Sequence, residues 1–462
     1  MLVFFVVIYL LGTLLLGFWA ARQVKNTADF AVAGRKLPLI VAGSALFATW
    51  FGSETVMGAP AEFLEGGLLS VVEDPFGAAL CLILVGALVA RPLYRLNMLT
   101  FNDYYKIRYG RWVEIVSAMA LIPSFLGWIA AQMMAMAILL QVLASVPLFW
   151  GVQVCMVIVV LYTYAGGMWA VSITDFVQTI LILFGIIALA WEVSTAAGGV
   201  GVVLNSQPEG FFRMIPERNS WQDWAQYVAA WITIGLGSIP GQDVFQRVNS
   251  ARNEQTAVWS SYLGGALYLT VGLIPLFIGL CARQLHPELL AGDPQQLLPV
   301  MALKYSSFWV QVLFFGALLS AILSTTSGAI LAPATVLGEN IIQPIYGKLT
   351  DRQLLLVMRF SVVVLAFVSM FLALSGQTIF EMVSTSSALS LVSLFVPLMA
   401  GLYWPRANAW GAMASLVVGL VVWTLTTYLL PTEIPGLLYG LAGSTVAMVL
   451  GTFIYEHCTQ GR

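Results

Sequence analysis

The stretch "ATWFGSETVMGAPAEF", residues 48–63, lies inside a long apolar run, yet it places Gly52, Ser53, Glu54, Thr55, Gly58 and Pro60 where a lipid-facing helix would hold leucine. Backbone of that composition is partly unwound. A bilayer tolerates unwinding only where protein or a water-filled cavity satisfies the freed amides and carbonyls. The stretch "WITIGLGSIPGQD", residues 231–243, carries the same defect through Gly235, Gly237, Pro240 and Gly241. Two interrupted segments, five helices apart, point to inverted repeats with a binding site at their interface. Close helix packing through glycine is the alternative.

The surroundings make this a membrane question. The chain is 60% hydrophobic and 9% charged, whereas soluble domains carry about 25% charge. It reads as an integral membrane protein. The opening run "MLVFFVVIYLLGTLLLGFWAARQ" has no basic residue before its apolar part, and Arg22 and Lys25 follow it, so it is expected to be a retained helix rather than a cleaved signal. Further apolar spans near 38–64, 75–97, 112–141, 146–165, 169–195, 223–240, 254–282, 308–341, 353–374, 378–404, 408–430 and 435–456 bring the expectation to about thirteen membrane helices. With the N-terminus outside, Arg22, Lys25, Arg35, Lys36, Arg91, Arg95, Lys106, Arg108, Arg111, Arg247, Arg252, Lys348, Arg352, Arg359, Arg406 and Arg462 fall on the cytoplasmic side. Arg213, Arg218, Arg283 and Lys304 fall outside. Because cytoplasmic loops hold the positive charge, this orientation in a plasma (inner) membrane is the expected one, with the tail "EHCTQGR" in the cytoplasm. Trp19, Trp224 and Trp404 fit an interfacial belt.

Four scattered cysteines without CxxC spacing imply neither a disulfide framework nor a metal site. A net charge of -2 and the lack of a long basic run argue against nucleic acid as a partner. No obligate protein partner is evident. The two histidines, His286 and His457, sit at segment ends, so an enzyme with a reactive cluster at membrane depth is disfavoured. A passive channel would show a repeated filter or charged ring.

The strings "DFAVAGRKLP", "ATWFGSETVMGAPAE", "TYAGGMWAVSITDFVQ" and "AILSTTSGAILAPATVLGENI" occur in that order over nearly the whole chain, and the chain resembles the sodium:solute symporter family. The resemblance implies an all-α integral membrane fold with a leucine-transporter-like core of two inverted five-helix repeats. One helix and a cytoplasmic loop (1–37) precede the core (38–407, repeats about 38–195 and 223–407). Two helices and a short tail (408–462) follow it. The resemblance further implies secondary active transport: sodium is the coupling ion, no organic cofactor is needed, and a small organic solute is taken up by alternating access. A transport-inactive solute sensor of the same fold is the alternative.

The segment "SAILSTTSGA", residues 320–329, puts five hydroxyls into ten positions of an otherwise apolar helix. Sodium is a hard cation that takes oxygen ligands, readily supplied in a membrane by hydroxyls and by carbonyls of a broken helix. Ala321 lies one turn before Ser324 and Thr325, so its carbonyl and their hydroxyls can converge. Back-bonding and close packing are the plainer readings, which Ser320 and Thr326 keep. By resemblance, the sodium ligands are Ser324, Thr325 and the carbonyls of Ala321, Ala48 and Phe51. The resemblance also puts Asp175 at a second sodium position with Ser324 and Ser327. Gly328 stands where that pattern has a serine, so Asp175 either holds a second ion or only polarises the hydroxyl network. An intramembrane Asp requires a partner in any case.

Ser53, Glu54, Thr55, Glu73, Asp74, Trp231 and Gly235 are the candidates for the solute pathway. Glu73 and Asp74, in "SVVEDPFGAA", either meet an ammonium or hydroxyl group of the solute or are solvated at a helix end, as Glu62 and Glu65 are expected to be. The hydroxyl-rich "STSSALS", residues 384–390, can line the pathway or pack. Asp243 and Arg247, four apart, suit a plain helix pair better than an inner gate. A sugar is disfavoured as solute because the seventh span has Gly and Ser where aromatics would serve it.

Overall fold

A computed structural model of the protein describes residues 1–22, 32–165, 168–217, 220–347, 349–430 and 432–460. Lys25, Arg218, Lys348 and Arg462 of the charge count lie outside the described residues, as do residues 29–31 and 166–167 of the quoted motifs.

The chain is a succession of helices: α1 (Leu2–Ala21), α2 (Leu39–Trp50), α3 (Glu54–Gly66), α4 (Leu68–Arg95), α5 (Asn102–Tyr109), α6 (Arg111–Ala144), α7 (Leu148–Ala165), α8 (Met168–Ala196), α9 (Trp221–Gly237), α10 (Gln242–Ser250), α11 (Glu254–Leu285), α12 (Phe308–Tyr346), α13 (Asp351–Ala373), α14 (Ile379–Tyr403), α15 (Ala409–Leu429) and α16 (Gly436–Gln460). Among the described residues, nine helices are long and apolar enough to cross a membrane, and α2 with α3 form a tenth span bent by 53°. The three remaining spans of the sequence reading are the helices α1, α7 and α9.

Both interrupted segments break where glycine and proline are placed. Helix α2 ends at Phe51, whose ψ of 82° leaves the helical region, and α3 resumes at Glu54 with a wide turn in which the Ala59 amide bonds to the Glu54 carbonyl. Helix α9 ends at Gly237, and α10 starts after Gly241 with every residue from Gln242 to Ser250 buried. The strand-like residues before α2 and after α10 meet: the Leu37 amide donates to Ser250 O at 2.9 Å and the Arg252 amide to Leu37 O at 2.9 Å. Arg35 fastens the same end, donating through Nη2 to Tyr94 O at 2.7 Å and Asn249 Oδ1 at 2.8 Å.

Burial separates core from periphery. Two-thirds (67%) of the apolar window of α6, α12 and α14 is buried, against 28% for α15 and 22% for α16. The last two helices hold to each other through small residues, with the Ser415 and Ser444 hydroxyls 2.8 Å apart. A Cβ at Gly411 would lie 2.6 Å from Met448 O. Such close approach is how helices associate in a solvent as apolar as their own side chains. Large apolar residues such as Trp191, Phe360, Phe367 and Phe371 stay exposed on the outer surface, as a lipid-facing belt requires.

Candidate functional site

Helix breaks free the carbonyls of the last turn, and in α2 they are claimed by side chains from other helices. Thr325 Oγ1, on α12, donates to Ala48 O at 3.1 Å. Tyr268 Oη, on α11, donates to Trp50 O at 3.3 Å and also hydrogen-bonds the Thr55 hydroxyl. Ala48, Phe51, Ala321, Ser324 and Thr325 are all at most 1% exposed. Thus Thr325 and the end of α2 converge, and Ser324, its neighbour in sequence, turns to α8. Its Oγ donates to Asp175 Oδ1 at 2.7 Å and lies 3.4 Å from Thr174 Oγ1. The flanking hydroxyls do other work. Thr326 back-bonds to the carbonyl of Ile322, and Ser320 receives Gln178 Nε2 at 2.7 Å. Ser327 is buried one turn beyond Ser324.

Beside the α2–α3 break lies a small cavity of about 60 Å³. Its walls are aromatic: Trp50, Phe125, Trp128 and Tyr268. Glu54 and Asp243 supply carboxylates, and Ser124, Ser238, Ser386, Ser387 and Ser390 supply hydroxyls; among the described residues no lysine, arginine or histidine lines it. Trp50 also braces the two interrupted segments, because its Nε1 donates to Asp243 Oδ2 at 2.9 Å.

Around this cavity three carboxylates besides Asp243 are withdrawn from water. Glu54 and Glu73 are 6% exposed and Asp74 is fully buried, so Glu73 and Asp74 are not solvated helix-end residues. Glu65, by contrast, is exposed. Ser384 Oγ donates to Glu73 Oε2 at 3.2 Å. Glu54 Oε1, Glu73 Oε1 and both carboxyl oxygens of Asp74 have no hydrogen-bond partner among the described residues. Asp74 lies where the entry of α4 leaves helical geometry, with φ -137° and ψ 123°.

Of the remaining pathway candidates, Ser53 is buried against Gln132, whose Oε1 accepts the Ser53 amide at 3.3 Å. Trp231 and Gly235 are not among the cavity lining. They share the face of α9 that packs on α4, where a Cβ at Gly77 would lie 3.4 Å from Trp231 O and one at Gly235 would lie 3.5 Å from Gly77 O. The face of α9 that does reach the cavity carries Ile234, Gly237 and Ser238. The hydroxyls of "STSSALS" reach it through Ser386, Ser387 and Ser390. Asp243 and Arg247 do not form a plain side-chain pair: Arg247 Nη1 donates to the Asp243 carbonyl at 3.1 Å, and the Asp243 carboxylate receives Trp50.

Comparison with known proteins bears on this arrangement. The family model described as the sodium:solute symporter family matches residues 30–419. The high affinity choline transporter 1 of Homo sapiens is 28% identical over 442 residues, covering 90% of this chain and 75% of that protein. The sodium/proline symporter of Escherichia coli (strain K12) is 26% identical over 469 residues, covering 96% and 92%. These relatives are transporters, not enzymes. Among solved structures, a Na+-coupled sialic acid symporter in a substrate-bound outward-open state has a TM-score of 0.83 at 19% identity, covering 98% of this chain and 97% of that one. A nucleobase-cation-symport-1 family transporter in a closed conformation has a TM-score of 0.62 at 16% identity, covering 92% and 95%. These structural neighbours establish the leucine-transporter-like fold.

Proposed function

The chain belongs to the sodium:solute symporter family, and from that premise we propose that it couples inward sodium movement to uptake of a small organic cation by alternating access. The observation that carries the choice of solute is the cavity itself. Four aromatic side chains and the carboxylates of Glu54 and Asp243 face one space that no basic residue among the described ones lines. An ammonium group over an aromatic face gains about 0.5–2 kcal/mol when desolvated. A buried carboxylate beside it adds the countercharge that such a cation needs. A solute carboxylate would find no lysine or arginine there. The relatives named for choline and for proline supply one probe of each kind.

Sodium is held, on this reading, by the carbonyls of Ala48, Phe51 and Ala321 and the hydroxyls of Ser324 and Thr325. The hydrogen bond between Thr325 and Ala48 supports it: two oxygens close enough to share a proton can share a cation in its place. Halves of about 38–195 and 223–407 would rock around the two breaks, with residues 1–37 and 408–462 as flanking helices. The N-terminus is outside and the C-terminus cytoplasmic, in keeping with the charge of the loops.

Purified protein in liposomes tests the reading. With an inward sodium gradient, choline accumulates against its gradient while proline does not, and replacing sodium by potassium abolishes the accumulation. Choline binding without accumulation would return the protein to the sensor class. Accumulation indifferent to sodium would overturn the coupling.

A further inference from the structure

Asp175 is 1% exposed, and a carboxylate taken so far from water needs a cation or a full set of donors. Ser324 supplies one hydrogen bond, to Oδ1 at 2.7 Å, while Oδ2 has no hydrogen-bond partner among the described residues. What faces Oδ2 is the guanidinium of Arg247, with Nη2 at 3.8 Å and the arginine side chain itself 1% exposed. Arg247 comes from α10, the second half of the broken α9–α10 segment, and is aimed by its Nη1 bond to the Asp243 carbonyl at 3.1 Å. The carboxylate of Asp243 is engaged by the Trp50 indole. The space for the guanidinium is left by Gly328, where a Cβ would stand 2.8 Å from Nη2. The residue that breaks the hydroxyl run and the arginine that fills the gap thus answer each other.

We propose that the Arg247 guanidinium, seated in the space that Gly328 leaves, is the resident cation of the Asp175–Ser324–Ser327 pocket, so that each chain holds one exchangeable sodium ion rather than two. The guanidinium is the charge that faces Asp175, while Asp243, also near it, is bonded by the Trp50 indole as well. A mobile cation brought to Asp175 would meet the fixed charge of the guanidinium at close range, a like-charge contact that a dry interior screens poorly. The exchangeable ion is then confined to the cage of Ala48, Phe51, Ala321, Ser324 and Thr325, and to that extent the proposal rests on the sodium reading above.

The probe is sodium itself, as radioactive sodium in equilibrium binding to the purified full-length protein and as a titration of thermal stability at constant sodium plus potassium. The wild-type chain binds one sodium ion with a Hill coefficient of about 1, as expected for a single site. Arg247→Lys, which keeps a tethered cation, does the same. The double variant R247Q/G328S, which removes the guanidinium and adds a hydroxyl, binds two, and adding Asp175→Asn returns the count to one. Two ions bound to the wild-type chain overturn the proposal while leaving the symporter reading intact; no bound sodium overturns both. A double variant that binds one ion, or that folds in neither cation while Arg247→Lys folds, also overturns it, because sodium should then stand in for the lost charge.

Discussion

Two groups of buried acid share this bundle and are balanced differently. Around the cavity, Glu54, Glu73 and Asp74 form no ion pair among the described residues. Ser384 bonds Glu73, and the hydrogen-bonded Thr55–Tyr268 pair stands beside Asp74. One helix away, Asp175 faces Arg247 and is bonded by Ser324. The contrast separates two uses of the same side chain. A carboxylate with its own guanidinium is part of the framework. Carboxylates left without a countercharge beside an aromatic cavity are a standing demand for one that arrives from outside.

The comparison can be broken most decisively at Glu54. Glu54→Gln keeps the shape of the cavity and removes its charge, and sodium-driven choline uptake in proteoliposomes is expected to fall about 100-fold, since losing one partner of a buried charged contact costs about 2–5 kcal/mol. An initial rate within tenfold of wild type would show that the acid is not the cation's counterpart. Ser324→Ala comes next, because Ser324 joins Asp175 to the cage beside Ala48. The sodium concentration giving half-maximal uptake should rise about tenfold, the effect of removing one oxygen worth about 1.5 kcal/mol. An unchanged sodium dependence would mean the ion sits elsewhere.

Trp128→Ala removes an aromatic wall without touching a charge. The half-saturating choline concentration is expected to rise about tenfold, and Trp128→Phe should recover most of that loss, because a smaller ring still presents its face to an ammonium. Equal losses in both variants would point to packing instead. The smallest effect belongs to Thr326→Ala. Its hydroxyl turns back to Ile322 O on its own helix, so uptake and sodium dependence should stay within about twofold of wild type. A larger change there would put the whole hydroxyl run, not two of its members, into the ion path.

Much of the architecture is written locally, and the wall of the cavity is not. Gly52, Gly237, Pro240 and Gly241 mark the breaks because backbone geometry depends on the residues at the break itself. Ser324 and Thr325 stand out because hydroxyls are rare in an apolar helix and both fall one turn after Ala321. Phe125, Trp128 and Tyr268 come from α6 and α11, far apart in sequence, and in a chain with 15 tryptophans, 16 tyrosines and 26 phenylalanines no single ring announces itself. Trp50 lay inside the quoted stretch, but its meaning depends on the cavity it borders and on Asp243, 193 residues away. Trp231 and Gly235 lie on a face of α9 that does not border this cavity. They are four residues apart and so point the same way, toward Gly77 rather than the cavity. Arg247 shows the same limit: spacing of four made Asp243 its obvious partner, while the fold brought Asp175 to it from another helix.

The missing side chain at position 328 also has an energetic reach. A tethered cation stays with the protein through every cycle and carries no charge across the membrane, whereas each sodium ion that crosses draws about 2.3 kcal/mol from every 100 mV. By the proportion between free energy and concentration ratio, that is about fifty-fold in the gradient a carrier can sustain. If Gly328 and Arg247 together hold the ion count at one, they set how steeply the cell can concentrate the solute, and they do so from a pocket the solute never enters.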